Sequence, residues 1–505
     1  MTKLPPFAVI ADAHISDTPG IQDDHLRMAL RAAESRRVAF VVIAGDIVEA
    51  GQRACYENAI AIIAETSLPC FPLIGNKEAS RNTTQGYRSH FGRPYYTVQH
   101  SGYRLIMLST TRFEIPPPQM RWLRRTLQET APHDNTIIVS HHYLRLFPEA
   151  RRDEFISLCA EFGIKHLIVA HSHNPKVTAY GPLTERVVQA IDPDKALTSL
   201  PGFTMVRLAA GKLHSEFVPV TIPATQIQRH LVDHLGYAPA TDCPPQDIRD
   251  LCAEYPLESY QLRFGGPDTL PPLARQAEAA RECGLQLIGH LPTPDFDEAG
   301  AFLNEDHMRR CIQFCAEQQA DPVVLHPTKL PADLLTDAYQ RLNLKRTATR
   351  PLLDAYVEIV GQMEELGIHV ALENNSSKKK RTTFGGLPSH LRGILDYLRD
   401  AGLHPGFCFD IGHAKGSIAS VQIAEWMAAL GDDLLCLHIH TGDPKTHTTH
   451  EPILDLFSWT RWYGLAAWLA YRNLTVPCLL ELTTPTAAAT SIHTLRQLPS
   501  ICAGP

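Results

Sequence analysis

The sequence predicts an α/β protein of two domains, a layered α/β domain followed by a (β/α)-type barrel. Three observations carry this. Short apolar, β-rich runs alternate with amphipathic helical stretches along most of the chain. The alternation breaks at 221–245, where TIPATQ, a short helix and the turn-forming TDCPPQ intervene. The chain has 505 residues, too many for one hydrophobic core.

The first domain is expected over 1–220. Its strand candidates are FAVIAD, AFVVIAGD, CFPLIGN, YRLIMLST, NTIIVSHH and KHLIVAHSH, and each apolar run ends in polar residues. FTMVRLAA and LHSEFVPV read as closing antiparallel strands. Residues 221–245 read as a linker. From 246 to 505, YQLRF, LQLIGH, PVVLHP, HVALEN, GFCFD, LLCLHIH and VPCLLEL recur between helical stretches such as MRRCIQFCAEQQ and VQIAEWMAALG. Seven β-α units point to a (β/α) barrel whose eighth strand the pattern does not place.

Composition narrows the function classes. A hydrophobic fraction of 44% and a charged fraction of 20% are those of a globular protein. The formal net charge of -7 argues against a general nucleic-acid coat. The twelve cysteines form no CxxC pair and read as reduced, mostly buried side chains, as in a cytoplasmic protein. FAVIADAH follows MTKLPP directly, without a signal-peptide pattern, and no apolar run approaches the ~20 residues of a membrane span.

Histidine is the compositional oddity, with 25 in the chain, many at the ends of apolar runs. In the first domain five pieces follow strand-like runs. They are Asp12-x-His14, Gly45-Asp46 ahead of Gly51, Gly75-Asn76-Lys77-Glu78, His141-His142 and His171-x-His173. Asp, His and Asn suit Mn, Fe or Zn, and two such ions ~3.5–4 Å apart are able to clamp a phosphoryl group.

The ordered set resembles the calcineurin-like metallophosphoesterase family over nearly all of 1–200. The resemblance implies a four-layer α/β sandwich with two ions. Asp12, His14 and His173 would hold one, Asn76, His141 and His171 the other, and Asp46 would bridge. His141 is preferred to His142 as ligand, which leaves His142, with Asn76 and Lys77, as catalytic candidates. Two departures stand out. Ala170 replaces the glycine of the family's GHxH, and Lys77 replaces the histidine of GNH[ED]. That histidine normally contacts phosphate and assists the leaving group, and a lysine is a poor proton donor near neutral pH.

In the second domain nearly every strand ends in a metal-competent residue: His290, His326, Glu373, Asp410 with His413, His438 with His440, and Glu481. On a barrel these ends form the active-site face. The array resembles the xylose-isomerase-like barrel superfamily over about 250–495, which includes sugar-phosphate isomerases and epimerases and the endonuclease IV type of nuclease. Glu373, Asp410, His438 and Glu481 match the four ligands of the isomerases. His290, His326 and His450 match further ligands of the phosphodiesterase branch, and Asp410-x-x-His413 is common to both. His447-x-x-His450 stands where endonuclease IV has a carboxylate-x-histidine pair. The resemblance implies two or three ions, Zn or Mn. For isomerase chemistry Glu373 and Glu481 are the candidate bases. Lys378, Lys379, Lys380 and Arg381, with His440 and His447, are the candidate substrate-binding residues, because a basic loop on that face attracts an anion.

The expected function is a bifunctional metal-dependent hydrolase. The first domain would be a phosphoesterase, and the barrel would act on a phosphorylated sugar, nucleotide-like or cofactor-derived molecule. The partner is a small phosphorylated substrate. Nucleic acid is not favoured, no membrane is expected, and the oligomeric state is open. The alternatives are an isomerase or epimerase in the barrel, an abasic-site nuclease, and a scaffolding first domain beside one active barrel.

Overall fold

The computed structural model describes residues 4–503 apart from 80–83, 131, 197, 297–301, 328–349, 377–384, 417–421, 444–447 and 458–459. The chain divides into two compact units, Met1–Thr221 and Ile222–Pro505.

The first unit runs β1 (Phe7–Ile10), α1 (Ile21–Ser35), β2 (Val41–Ala44), α2 (Arg53–Ile63), β3 (Cys70–Leu73), α3 (Gln85–Phe91), β4 (Tyr96–His100), β5 (Tyr103–Leu108), α4 (Pro117–Glu129), β6 (Thr136–Ser140), α5 (Glu149–Glu161), β7 (His166–Val169), β8 (Lys176–Tyr180), β9 (Leu183–Val187), β10 (Gly202–Ala209) and β11 (Lys212–Pro219). Two sheets result, in the orders β11-β10-β1-β2-β3 and β4-β5-β6-β7-β9-β8. The closing strands β10 and β11 pair antiparallel, as the sequence predicts.

Alternation along the strands builds four layers. Phe7 and Val9 of β1 share one core with Leu105 and Met107 of β5, so the two sheets pack face to face. Ala8 and Ile10 turn the other way, onto Leu26 and Leu30 of α1. Ile106 and Leu108 turn onto Leu123 and Leu127 of α4. The expected sandwich is therefore helix, sheet, sheet, helix.

The second unit runs α6 (Ala224–His230), β12 (Leu235–Ala238), α7 (Pro245–Glu254), β13 (Ser259–Arg263), α8 (Leu270–Glu282), β14 (Gln286–His290), α9 (Glu305–Glu317), β15 (Val323–Leu325), α10 (Arg350–Glu365), β16 (Val370–Glu373), α11 (Pro388–Asp400), β17 (Gly406–Asp410), α12 (Ile411–Gly416), α13 (Ile423–Leu430), β18 (Leu434–Ile439), β19 (Thr441–Asp443), β20 (Thr448–Glu451), α14 (Trp462–Tyr471), β21 (Cys478–Glu481), α15 (Pro485–Leu495) and α16 (Leu498–Ala503). Strands β12 to β18 and β21 close into an eight-stranded parallel barrel.

The eighth strand is β12, inside the stretch 221–245 that reads as a linker. That stretch holds α6 and β12 instead. Its apolar run is only LGYA, too short and too glycine-containing to stand out from its polar surroundings.

The barrel interior is laid down by a period of two. Ile288, Val324, Ala371, Cys408, Cys436 and Leu479, one from each of six strands, share one buried cluster. Two residues further along those strands come His290, His326, Glu373, Asp410, His438 and Glu481. The candidate ligands are thus the next interior layer, at the strands' C-terminal ends. No helix among the described residues is long and apolar enough to cross a membrane. None of the twelve cysteines forms a disulfide, and most are buried.

Candidate metal centres

In the first unit every predicted ligand sits on a loop that leaves a strand. Asp12 and His14 follow β1, Asp46 follows β2, Asn76 follows β3, His141 follows β6, and His171 and His173 follow β7. Five of them, Asp12, His14, Asp46, His171 and His173, have φ between 47° and 68°. Side chains other than glycine avoid this region, and its concentration here marks backbone bent to aim side chains inward. Gly75 is required by proximity, since a Cβ there would stand 2.3 Å from the backbone nitrogen of Asp46.

The loops bring Asp12, His14 and His173 into one group and His141, His142 and His171 into a second, each able to hold a cation. Asp46 lies with Oδ2 3.4 Å from His141 Nε2, while its Oδ1 accepts the Lys77 N–H at 2.9 Å. His141 Nδ1 donates to the Ala44 carbonyl at 2.9 Å, which turns Nε2 inward. His142 lies on Asn76: its Nε2 is 3.1 Å from Asn76 Oδ1 and its Nδ1 3.0 Å from Thr110 Oγ1. Both ring nitrogens of this catalytic candidate are therefore engaged. Asp12 Oδ1 and His14 Nε2 are buried without a hydrogen bond, an arrangement that is costly unless a cation completes it.

Electrostatics agree. Burial opposes charge on Asp46, but His141 outweighs it and holds the carboxyl well below the usual range. Burial likewise opposes protonation of His141, yet Asp46 and Asp12 raise its ring to about 10. The surplus of buried negative charge draws positive charge into the site, as a divalent-cation centre does.

Around this centre stand residues to which the motifs assign no role. The buried Glu78 carboxylate gathers the N–H groups of Asp46, Val48 and Gly75 at 3.1, 2.9 and 2.6 Å, tying the Asp46 and Asn76 loops together. Glu49 Oε2 lies 2.7 Å from His14 Nδ1 and 2.6 Å from Lys195 Nζ, and its Oε1 is 2.6 Å from Lys77 Nζ. Glu49 and Glu78 sit within the ligand motifs, so proximity in sequence was a signal. Lys195 arrives from a distant loop with no local signal.

In the barrel, Glu373 is the hub. Its oxygens lie 3.2 Å from His290 Nε2, His326 Nε2, His413 Nδ1 and His438 Nδ1. His438 Nδ1 is also 3.2 Å from Glu481 Oε2, and His450 Nε2 is 3.3 Å from Glu481 Oε1. Yet His290 Nε2, both Glu373 oxygens, His438 Nδ1, His450 Nε2 and Glu481 Oε2 are buried without a hydrogen bond. Ligand atoms around a first-row metal at ~2.0–2.2 Å stand about 3.0–3.5 Å apart, so the donor set fits cations.

Overlapping groups include His290, Glu373, His438; Glu373, Asp410, His438, Glu481; and Asp410, His413, His440, His450. Asp410 is anchored by Asn374, whose Oδ1 accepts the Asp410 N–H at 2.7 Å. His440, a candidate substrate-binding residue, is fully buried, with Nε2 3.0 Å from Asp410 Oδ2. A Cβ at Gly412 would stand 1.9 Å from its ring, so the first turn of α12 passes the site only as glycine. Burial opposes charge on Glu373, but His326 and His438 hold it well below the carboxylate range. His413, despite burial, is raised to about 9, chiefly by Asp410 and Glu373. Two further residues escape the motifs: Arg263, paired with Glu481, and the buried Gln261, whose amide meets His438 Nε2 at 2.8 Å. Lys378, Lys379, Lys380, Arg381 and His447 lie outside the described residues.

The comparisons with known proteins divide at the same place. The calcineurin-like phosphoesterase model matches residues 5–175, and the xylose isomerase-like TIM barrel model matches residues 249–498. No curated protein matches the chain. Among solved structures, a D-tagatose 3-epimerase-like protein is 18% identical, with 54% of this chain and 98% of that one covered and a TM-score of 0.42. The 3-keto-D-glucoside 4-epimerase of E. coli is 15% identical, with 52% and 99% covered and a TM-score of 0.40. GAP50, the anchor in the inner membrane complex of Plasmodium, is 14% identical, with 43% and 85% covered and a TM-score of 0.34.

Proposed function

We infer, from a chain that joins a calcineurin-like phosphoesterase domain to a xylose isomerase-like TIM barrel, that it is a hydrolase with two metal centres, each acting on small phosphoesters. Divalent ions, Mn, Fe or Zn in the first domain and Zn or Mn in the barrel, would supply Lewis acidity toward phosphoryl oxygens.

The chain's own residues do the rest. In the first domain Asp12, His14 and His173 would hold one ion and Asn76, His141 and His171 the other, with Asp46 between. His142 orients Asn76, and Glu78 holds the loops that present Asp46 and Asn76 in register. Lys77 places a fixed positive charge beside them, suited to an anionic phosphoryl group.

One observation carries the reading for the barrel. Glu373 and Asp410 each belong to two of these overlapping groups, so neighbouring cation positions would share carboxylates. Ions held there would supply the charge neutralisation that in-line displacement at phosphorus needs on attacking and leaving oxygens. A second reading, a sugar isomerase or epimerase, is favoured by the completeness of the set Glu373, Asp410, His438 and Glu481. That chemistry needs a carboxylate free to take a proton, whereas Glu481 is paired with Arg263 and faces His438 and His450.

The test is metal content together with activity, on wild type, Asp46→Ala and Glu373→Ala. The expected result is about four or five ions per chain, with each variant losing its own share and its own part of phosphoester hydrolysis. One ion in the barrel, with sugar epimerisation and no phosphoester cleavage lost in Glu373→Ala, would overturn the barrel reading. Undiminished metal and hydrolysis in Asp46→Ala would overturn the reading of the first domain.

A further inference from the structure

Beside the first metal centre lies a cleft that the reaction above does not use. One cavity of about 430 Å³ is lined by Arg88, Arg93, Tyr95 and Trp122. A second, of about 180 Å³, is lined by Arg88, Tyr95, Ser109 and Arg112. Arg88, Pro94 and Tyr95 wall both, so the two cavities adjoin across these shared residues. The larger part falls within the ~300–1,000 Å³ of small-ligand sites.

Its charge is opposite to that of the chain. Three guanidinium groups line it against one carboxylate, Glu114, which has Arg151 at 3.7 Å. Arg93 and Arg112 make no hydrogen bond or ion pair among the described residues, and Arg88 only donates to Thr84 Oγ1 at 3.1 Å. In a protein of net charge -7, unpaired arginines gathered in one concavity are placed for an anion. Tyr95 and Trp122, edge to face at 5.0 Å, add an aromatic wall that suits a flat ring.

The cleft also borders the reaction site. Ser109, Thr111 and Arg112 line it, and Thr110, between them, bonds His142 through Oγ1. Phe113, next along this loop, is 42% exposed, is held at φ 57° and has its ring 4.6 Å from His142. Non-glycine residues rarely adopt that backbone, and an exposed aromatic held so marks a built lip rather than a slack turn. Arg88 comes from α3, the first element after the loop that carries Asn76 and Lys77.

We propose that this cleft is the subsite for a second anionic group carried with a flat ring, a nucleoside monophosphate moiety, on the phosphoester cleaved at the adjacent centre. Arg88, Arg93 and Arg112 would take the phosphate, and Tyr95 and Trp122 the ring. The assignment rests on the phosphoesterase reading of the first domain, and its test separates the two.

The full chain, as purified and again after chelation of its metals, is titrated calorimetrically with adenosine 5′-monophosphate, adenosine and inorganic phosphate. The nucleotide should bind at least tenfold more tightly than either fragment, with or without metal. Arg93→Ala combined with Arg112→Ala should weaken it at least tenfold, with circular dichroism unchanged because both side chains are exposed. Nucleotide binding that ignores these substitutions, or that is no tighter than phosphate, overturns the subsite. A single-stranded oligonucleotide binding more tightly than the mononucleotide through the same arginines overturns the small-molecule assignment. Hydrolysis of bis(p-nitrophenyl) phosphate by wild type reports separately on the phosphoesterase reading. Its absence with intact nucleotide binding fails that reading alone, and its presence without nucleotide binding fails this one alone.

Discussion

Lys77 Nζ lies 2.6 Å from Glu49 Oε1. The other Glu49 oxygen meets Lys195 and the Nδ1 of His14, so one carboxylate joins a metal-ligand candidate to the lysine that stands where related enzymes carry histidine. The ammonium is thereby held at a fixed place beside the candidate metal ligands.

Replacing that lysine should reveal what the site lacks. Lys77→His supplies a group that exchanges protons near neutral pH, and general-acid assistance is worth about 10²–10⁴-fold where it operates in full. Alkyl phosphoesters, whose leaving oxygen needs a proton, should turn over about tenfold faster or more in the variant. p-Nitrophenyl esters, whose leaving group departs as the anion, should change little. Steady-state kcat on the two ester classes is the measurement, and an equal change in both would refute the role.

The residues behind the ligands should matter nearly as much as the ligands. Glu49 accepts from His14 Nδ1 and so leaves Nε2 directed at the metal position. In the barrel the Gln261 amide nitrogen, donating to Nε2 of His438, holds the ring with Nδ1 facing Glu373 and Glu481. Such outer partners are typically worth about 10–100-fold in metal affinity. Glu49→Ala should therefore weaken retention in the first centre by that factor and spare the barrel, and Gln261→Leu should do the reverse. Competition with a chromogenic chelator reads both. A variant that loses metal from the other centre equally would show that it acts through folding instead.

Much of this was legible in the sequence because metal sites on α/β folds sit where apolar runs stop. Asp12, Asp46, His141 and His171 each follow such a run, and the folding of the strands alone brings them together. The barrel layer from His290 to Glu481 follows the same rule with a period of two. What stayed hidden had physical reasons. Strand β12 is short and glycine-containing, and β4 and β8 are largely exposed edge strands with mixed sequences. Lys195 and Gln261 act through contacts 181 and 177 residues away along the chain, which no local pattern records. His440 was legible as a polar residue beyond a strand, but its burial against Asp410 depends on Gly412 leaving room for the ring.

A pH dependence of stability follows from His25, which lies away from both metal centres in sequence and is buried in α1. Its Nδ1–H donates to the Ile21 carbonyl at 2.7 Å, and burial outweighs that bond and lowers the ring to about 4 from an ordinary 6.5. The folded chain thus refuses a proton that the unfolded chain accepts between those two values. The contribution is complete above pH 6.5, falls as pH drops toward 4, and is constant below that. The full loss is about 3 kcal/mol, at about 1.36 kcal/mol for each pH unit between the two values. His25→Leu removes the titration, so the gap between wild-type and variant thermal midpoints should change steadily from about pH 7 to about pH 4 in the variant's favour. Curves that run parallel across that range would mean that the unfolded and folded chains bind this proton alike, and that the ring is not buried as α1 places it.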